Sequence, residues 1–299
     1  MEPRWADLFR WKHDENPFGP SPRWVAVEGD EVVGFRVFLR WEFTDGTGRI
    51  HRAVRAVDTA TDPDRRGQGI FKRLTLASLD DLAADGVDFV FNTPNDQSRS
   101  GYLKMGWSVV GRPPVMALPT GPRGLARLRG ARTAAELWSE PSAAGLPAPD
   151  ALADPAAAWL IDHLAVPGRL STNRTTSFLT WRYGLDELHY RALSLGTDAA
   201  EGLAIFRVRR RGTALEATVT ELLVPAGPHA DRCKRRLLRL VARRSGADYV
   251  LVGRDPALLA APAVPAPGLG PILTWRALTE EAQPPLDSWP LTMGDLELF

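Results

Sequence analysis

The hydrophobic pattern divides the chain into stretches of different period. Arg23-Trp24-Val25-Ala26-Val27 and Val32–Leu39 are apolar and β-rich on either side of Glu28-Gly29-Asp30-Glu31, which predicts two strands around a turn. A break at Asp45-Gly46-Thr47-Gly48 precedes a third strand, Ile50 to Thr61. The period then lengthens. Phe71, Leu74, Leu79 and Leu82 place an apolar stripe on residues 70–85, with Leu76 and Ala83 at its margins and Ser78 interrupting it, which predicts a helix. Asp85-Gly86 ends that helix, Val87–Phe91 reads as a short buried strand, a polar turn and short helix follow near Asp96–Leu103, and Trp107–Val110 is one more strand. The order β-β-β-α-β-α-β over residues 1–112 indicates an α/β domain with helices packed on a mixed sheet.

Residues 113–156 read as a connector, with prolines at 113, 114, 119, 122, 141, 147, 149 and 155. Arg123, Arg127, Arg129 and Arg132 form a basic stretch without an acid; it is either a solvated face or a docking surface for an anionic partner. Residues 157–299 repeat the earlier logic more weakly. A helical pattern covers Ala157–Leu164, strands are expected at Tyr190–Leu195, Leu203–Arg209, Ala214–Val224, Tyr249–Val252 and Ile272–Ala277, and a helix at His229–Arg244. The order again approaches β-β-β-α-β, the mark of an internal duplication.

Composition narrows the class. The 299 residues are 44% hydrophobic and 24% charged, as in folded globular chains. With 37 basic and 36 acidic residues the net charge is +1, so bulk electrostatics does not make the chain a nucleic-acid or membrane binder. A single cysteine, Cys233, forms no internal disulfide and no thiolate metal site, and a reducing, cytoplasmic setting is expected. No window approaches the ~18 consecutive apolar residues of a membrane span, and Met1-Glu2-Pro3-Arg4-Trp5 does not read as an apolar leader. There is no HExxH pair, no Cys/His cluster with ligand spacing and no GxSxG elbow, so neither a metal site nor a serine nucleophile is expected.

The informative segment is Asp62-Pro63-Asp64-Arg65-Arg66-Gly67-Gln68-Gly69-Ile70-Phe71, between a predicted strand and an amphipathic helix. Two glycines allow a tight turn and close approach to a ligand, and the free amides and dipole of a helix start favour an anion such as a pyrophosphate. No Gly-Lys-Ser/Thr follows, and the third glycine of a dinucleotide fingerprint is missing. An ordinary strand-to-helix turn has the same letters. A second block runs from Asn95 to Trp107 and contains Tyr102, whose hydroxyl is either a proton donor to a leaving group or a satisfied core group.

Together the two blocks resemble the GNAT acyl-CoA N-acyltransferase superfamily over about residues 10–112. Arg66–Phe71 is similar to its Arg/Gln-x-x-Gly-x-Gly/Ala motif, and Asn95–Trp107 to its Asn-x-x-Ala-x-x-x-Tyr-x-Lys-x-Gly-Phe stretch, at the family's spacing. Phe71 departs from Gly/Ala, which puts the width of the diphosphate entry in question, and Ser98 replaces Ala. The resemblance implies a mixed, mostly antiparallel, splayed sheet flanked by helices, open between the strands near Ala60 and Phe91 and duplicated in tandem. It divides the chain into an acyl-CoA-binding domain (1–112), the connector (113–156) and a degenerate second half (157–299). It also implies that acetyl-CoA or another acyl-CoA donates an acyl group to the amine of a small molecule. The backbone around Gly67, Gln68, Gly69, Ile70 and Phe71 would hold the CoA diphosphate, Arg66 would shape the loop, Thr59, Ala60 and Thr61 would pair with the pantetheine amides, Asn95 would lie beside that arm, and Tyr102 would protonate the departing thiolate. The second half has Pro225-Ala226-Gly227-Pro228 where the loop would be and is expected to hold no CoA.

For the base that amine attack needs, Asp58 is the best placed carboxylate, ahead of Glu42 and His51, and Trp11–Gly19 lies where the acceptor wall is expected. Two alternatives stay open: a donor carried on the phosphopantetheine arm of an acyl carrier protein, which the Arg123–Arg132 stretch would meet, and a non-catalytic CoA sensor.

Overall fold

The computed structural model describes residues 3–130, 133–165, 170–259, 261, 263–266, 268–280 and 282–297. In chain order the elements are α1 (Pro3–His13), β1 (Arg23–Glu28), β2 (Glu31–Thr44), β3 (Ile50–Thr61), α2 (Ile70–Ala84), β4 (Phe89–Asn92), α3 (Asp96–Lys104), β5 (Ser108–Gly111), β6 (Val115–Pro119), α4 (Pro122–Gly130), β7 (Leu146–Pro147), α5 (Ala148–Leu152), α6 (Pro155–Asp162), β8 (Ser171–Thr172), α7 (Thr176–Tyr183), β9 (Arg191–Ser194), β10 (Leu203–Arg211), β11 (Ala214–Leu223), α8 (Ala230–Arg244), β12 (Tyr249–Gly253), β13 (Val264–Pro265), β14 (Leu273–Ala277) and α9 (Met293–Leu296). The residues fall into two compact units: 1–112 with 168–173 and 271–289, and 113–167 with 174–270 and 290–299.

The first unit is built on a sheet of order β1-β2-β3-β4-β14-β5, with β8 added beside β2. All neighbours are antiparallel except β3 and β4, which run parallel on either side of the α2 crossover. Strand alternation gives the sheet two apolar faces. Phe38, Val54, Ala56 and Val90 pack with Leu79 and Leu82 of α2 and with Tyr102, Met105 and Trp107. On the other face Trp41, Phe43, Phe89 and Phe91 meet Trp275 and Trp289, with the Phe89 and Trp275 rings stacked 3.8 Å apart. Ser78, which breaks the apolar stripe of α2, is nevertheless buried, because its hydroxyl donates to the Thr75 carbonyl 2.9 Å away and so carries no unmet polar demand into the core.

The second unit repeats the scheme in the order β13-β6-β12-β11-β10-β9-β7, again mostly antiparallel, with β11 and β12 parallel across α8. Leu237, Leu238 and Val241 of α8 pack on Phe206, Val208, Ala217, Val219 and Val250.

Each unit takes the strand that completes its sheet from the far side of the chain. β6 follows β5 in sequence but pairs with β12, and β14 follows β13 but inserts between β4 and β5. A division into 1–112, a connector 113–156 and 157–299 therefore does not describe the units. Residues 115–119 are a sheet strand inside the expected connector, and residues 271–289 lie in the first unit. Periodicity identifies a strand, but pairing decides where it belongs. Helix α1 is a further addition to the β-β-β-α-β-α-β order.

Candidate active site

The loop after β3 turns twice through left-handed backbone, with φ 79° at Gly67 and 76° at Gly69, and a Cβ at either glycine would meet nothing within 4 Å. Gly69 is the N-cap of α2 and supplies no side-chain hydrogen bond. The helix ladder begins with the Arg73 amide donating to the Gly69 carbonyl at 2.9 Å, which leaves the preceding amides pointing out of the helix start. Arg66 is exposed, whereas Arg65 is tied to Glu28 at 2.5 Å. The helix start is drawn onto the sheet at Gly34, where a Cβ would come within 2.5 Å of Ile70 Cγ2. An uncapped helix start beside two left-handed glycines with open space in front has the amides and dipole that favour an anion.

The sheet opens beside this loop. β3 pairs with β4 only from Ala53↔Phe89 to Arg55↔Phe91, while β3 itself continues to Thr61. Among the described residues, the β4 side of residues 56–61, including Thr59, Ala60 and Thr61, is thus left without a strand partner. Within the same stretch Val37 pairs with Val57 and Arg36 with Thr59, so Asp58 has no opposite residue and forms a β-bulge at φ 22°. Its carboxylate accepts from Lys12 Nζ at 2.8 Å and from His13 Nε2 at 2.7 Å, and His13 Nδ1 lies 2.9 Å from the Ser21 hydroxyl. Partial burial pushes the Asp58 carboxyl up, but the His13 hydrogen bond and the Lys12 ammonium outweigh it and hold it below the usual carboxylate range. Asp58 fastens the end of α1 to the bulge and is a weak proton acceptor. Glu42 accepts from Asn173 at 2.9 Å, and His51 faces Asp45 at 3.1 Å. His51 is seven residues from Asp58 along β3, roughly 23 Å, so the structure does not bring these three together.

Tyr102 is 4% exposed, on the sheet-facing side of α3. Asn95 caps that helix: its side-chain oxygen accepts from the Ser98 amide and hydroxyl, each at 2.9 Å. Phe71 turns inward and meets the Tyr102 ring edge-on at 5.5 Å, so the departure from Gly/Ala places its ring between α2 and α3. The Tyr102 oxygen accepts from Arg36 Nη2 at 2.8 Å. Arg36 is fully buried on β2. Its Nη1 donates to the Val57 carbonyl at 3.4 Å, and its guanidinium lies 4.5 Å from the Phe38 ring centre and 5.5 Å from that of Phe71. Burial pulls Arg36 below its usual value, with Tyr102 and Asp58 acting in the opposite direction. Sequence reasoning passed over Arg36; the signal was a charged residue in phase with Phe38 on the buried face of a strand.

In the second unit the region before α8 is closed. Leu164 bridges Pro225, and the Ala226 amide donates to the His163 carbonyl at 2.9 Å, so an amide that a phosphate would need is already used. In the basic stretch, Arg123 and Arg127 face Asp248 at 3.9 and 2.8 Å, and Arg132 lies outside the described residues. A groove of about 710 Å³ opens between Glu140–Gly145 and the end of α8, but Glu140 and Arg210 in its wall are engaged with each other at 2.9 Å, and it has no counterpart of the Arg36–Tyr102 pair. Among the described residues no cluster of His, Cys, Asp and Glu is arranged to hold a metal ion, and no helix is long and apolar enough to cross a membrane.

Residues 3–110 match the family described as Acetyltransferase (GNAT) domain. No curated protein matches the chain. Among solved structures, a GCN5-related N-acetyltransferase from Anabaena variabilis aligns with a TM-score of 0.61 at 15% identity, over 93% of this chain and 67% of its own. A conserved protein of unknown function from Enterococcus faecalis aligns at 0.63 and 14%, over 93% and 66%. Eis1 from Mycobacterium abscessus aligns at 0.54 and 18%, over 86% and 64%. The chain spans 64–67% of the length of these three structures, and at such identities the likeness is one of fold. The glycine loop after β3 and the opened sheet both fall in the first unit, within the residues 3–110 that match the acetyltransferase (GNAT) domain model.

Proposed function

We propose that the first unit transfers an acyl group from an acyl-CoA to the amine of a small molecule by direct attack. The observation that carries this reading is Tyr102: its oxygen already accepts from Arg36, and among the described residues its own proton has no acceptor. A buried phenol with an unassigned proton, beside an open strand edge and an anion cradle, is suited to a leaving group supplied by a substrate. The cradle fits the donor. The amides around Gly67, Gln68, Gly69, Ile70 and Phe71 would take the diphosphate, with Arg66 at its rim. Thr59, Ala60 and Thr61 would offer backbone groups to the pantetheine amides. Asn95, whose Oδ1 is spent on capping α3, would offer only its Nδ2.

In this reading the amine nitrogen attacks the thioester carbonyl carbon, and the carbon–sulfur bond breaks as Tyr102 gives its proton to the sulfur. The acylated nitrogen sheds its extra proton to water, since Asp58 is held ionised by Lys12 and His13. Tyr102→Phe keeps the ring and removes the donor. Turnover of acetyl-CoA against a panel of amines should fall by ~10²–10⁴ with donor affinity unchanged. A loss confined to donor affinity assigns Tyr102 to packing. Acetyl-CoA binding without turnover in the parent protein favours a sensor.

A further inference from the structure

We propose that Arg36 is a positioning residue for the acyl transfer, aiming the Tyr102 proton and balancing the charge that Tyr102 carries once the proton has left. The inference rests on the reading of Tyr102 as the donor to the leaving sulfur.

A phenol has one proton and two lone pairs. With Arg36 Nη2 donating to the oxygen at 2.8 Å, the Tyr102 proton is directed away from the guanidinium. Arg36 is itself anchored, because its Nη1 reaches the Val57 carbonyl at 3.4 Å. Val57 is the last residue before the Asp58 bulge and lies beyond Arg55↔Phe91, where β3 and β4 cease to pair. The anchor therefore holds the phenol oxygen at the mouth of the opened sheet.

The charge argument is independent of the aim. Arg36 is fully buried, and among the described residues no carboxylate lies within ion-pair distance of it; Phe38, Phe71 and Tyr102 are the rings around it. Among the described residues its Nε has no hydrogen-bond partner. A buried cation without a paired acid is a poor arrangement for stability, and Asp58 acts on this one only from beyond ion-pair distance. It becomes a good one while Tyr102 is a phenolate. As the carbon–nitrogen bond forms and the carbon–sulfur bond breaks, sulfur leaves with the electron pair and takes the Tyr102 proton as free thiol. The phenolate then faces the guanidinium until a proton, equal to the one shed by the acylated nitrogen, returns from water. A fixed donor at the site of developing charge needs no reorganisation at that moment.

The experiment is a double-variant cycle on acetyl-CoA cleavage, read as released thiol, with acetyl-CoA affinity measured by calorimetry. Arg36→Met should lower kcat on the order of 10²-fold and leave affinity unchanged. Arg36→Lys, which keeps the cation with a shorter reach and preserves the fold if the methionine variant does not, should recover part of the loss. Arg36→Met with Tyr102→Phe should be no slower than Tyr102→Phe alone. Additive losses, or a full rate in Arg36→Met beside a slow Tyr102→Phe, overturn the role of Arg36 and leave Tyr102 as the acid. A Tyr102→Phe variant as fast as the parent overturns the acid assignment, and with it the role of Arg36.

Discussion

At Gly69 the backbone stands at φ 76°, with open space where a Cβ would be. Packing therefore does not forbid a side chain, but the left-handed conformation disfavours one. A β-branched residue in left-handed backbone costs on the order of 1–2 kcal/mol, and its side chain would stand in the proposed diphosphate path. Gly69→Val is expected to lose measurable CoA binding in titration calorimetry while the protein still unfolds cooperatively; normal affinity would displace the diphosphate from this loop. Gly67 and Gly69 were legible in the sequence because the information is local, two glycines between a strand and a helix start. The Arg36–Tyr102 hydrogen bond joins residues 66 apart and has no local signature. Asp58 was legible as a carboxylate near the loop, but Lys12 and His13, the groups that hold it ionised, come from a helix that residues 3–13 do not announce by any regular apolar stripe.

Short elements at the end of the chain are held by charge as much as by apolar area. Thr292 and Asp295 form a capping box on α9, Arg174 binds Asp295 at 2.8 Å and Glu221 at 3.0 Å, and Glu297 meets Arg207 at 3.2 Å and Arg209 at 2.7 Å. Burial pushes the Glu297 carboxyl up, but Arg207, Arg209 and Arg182 outweigh it and bring it down to about 2. An unfolded chain would titrate this group near ~4.3. The folded state thus binds the proton less readily, so the contribution of Glu297 is complete above that value and fades as pH falls toward 2. Glu297→Gln strands buried arginines and should cost about 3 kcal/mol at pH 7. Urea unfolding repeated near pH 3 should show a much smaller difference from the parent; an equal difference at both pH values would place the origin outside this titration. None of these pairs was visible in the sequence, because ion pairing has no period.

Across the molecule, the exchange of β6 and β14 means that neither sheet is encoded by one continuous stretch. Residues 272–277 were legible as a strand, yet their partners β4 and β5 lie more than 160 residues earlier, and β6 is masked by Pro113, Pro114, Pro119 and Pro122 around it. A fragment of residues 1–112 lacks the strand between β4 and β5 and the Trp275 and Trp289 rings that cover Phe89 and Phe91. It should show no cooperative thermal transition by circular dichroism, and residues 271–289 attached through a flexible linker should restore one. A cooperative transition in the bare fragment would make β14 dispensable. The same exchange sets a clock on synthesis. β5 ends at Gly111 and β14 begins at Leu273, so at ~5–20 residues per second β14 leaves the ribosome roughly 8–30 s after β5. For that interval the nascent chain carries two strand edges and an aromatic face with nothing to cover them, and the earlier-made unit must wait for a strand synthesised more than 160 residues later.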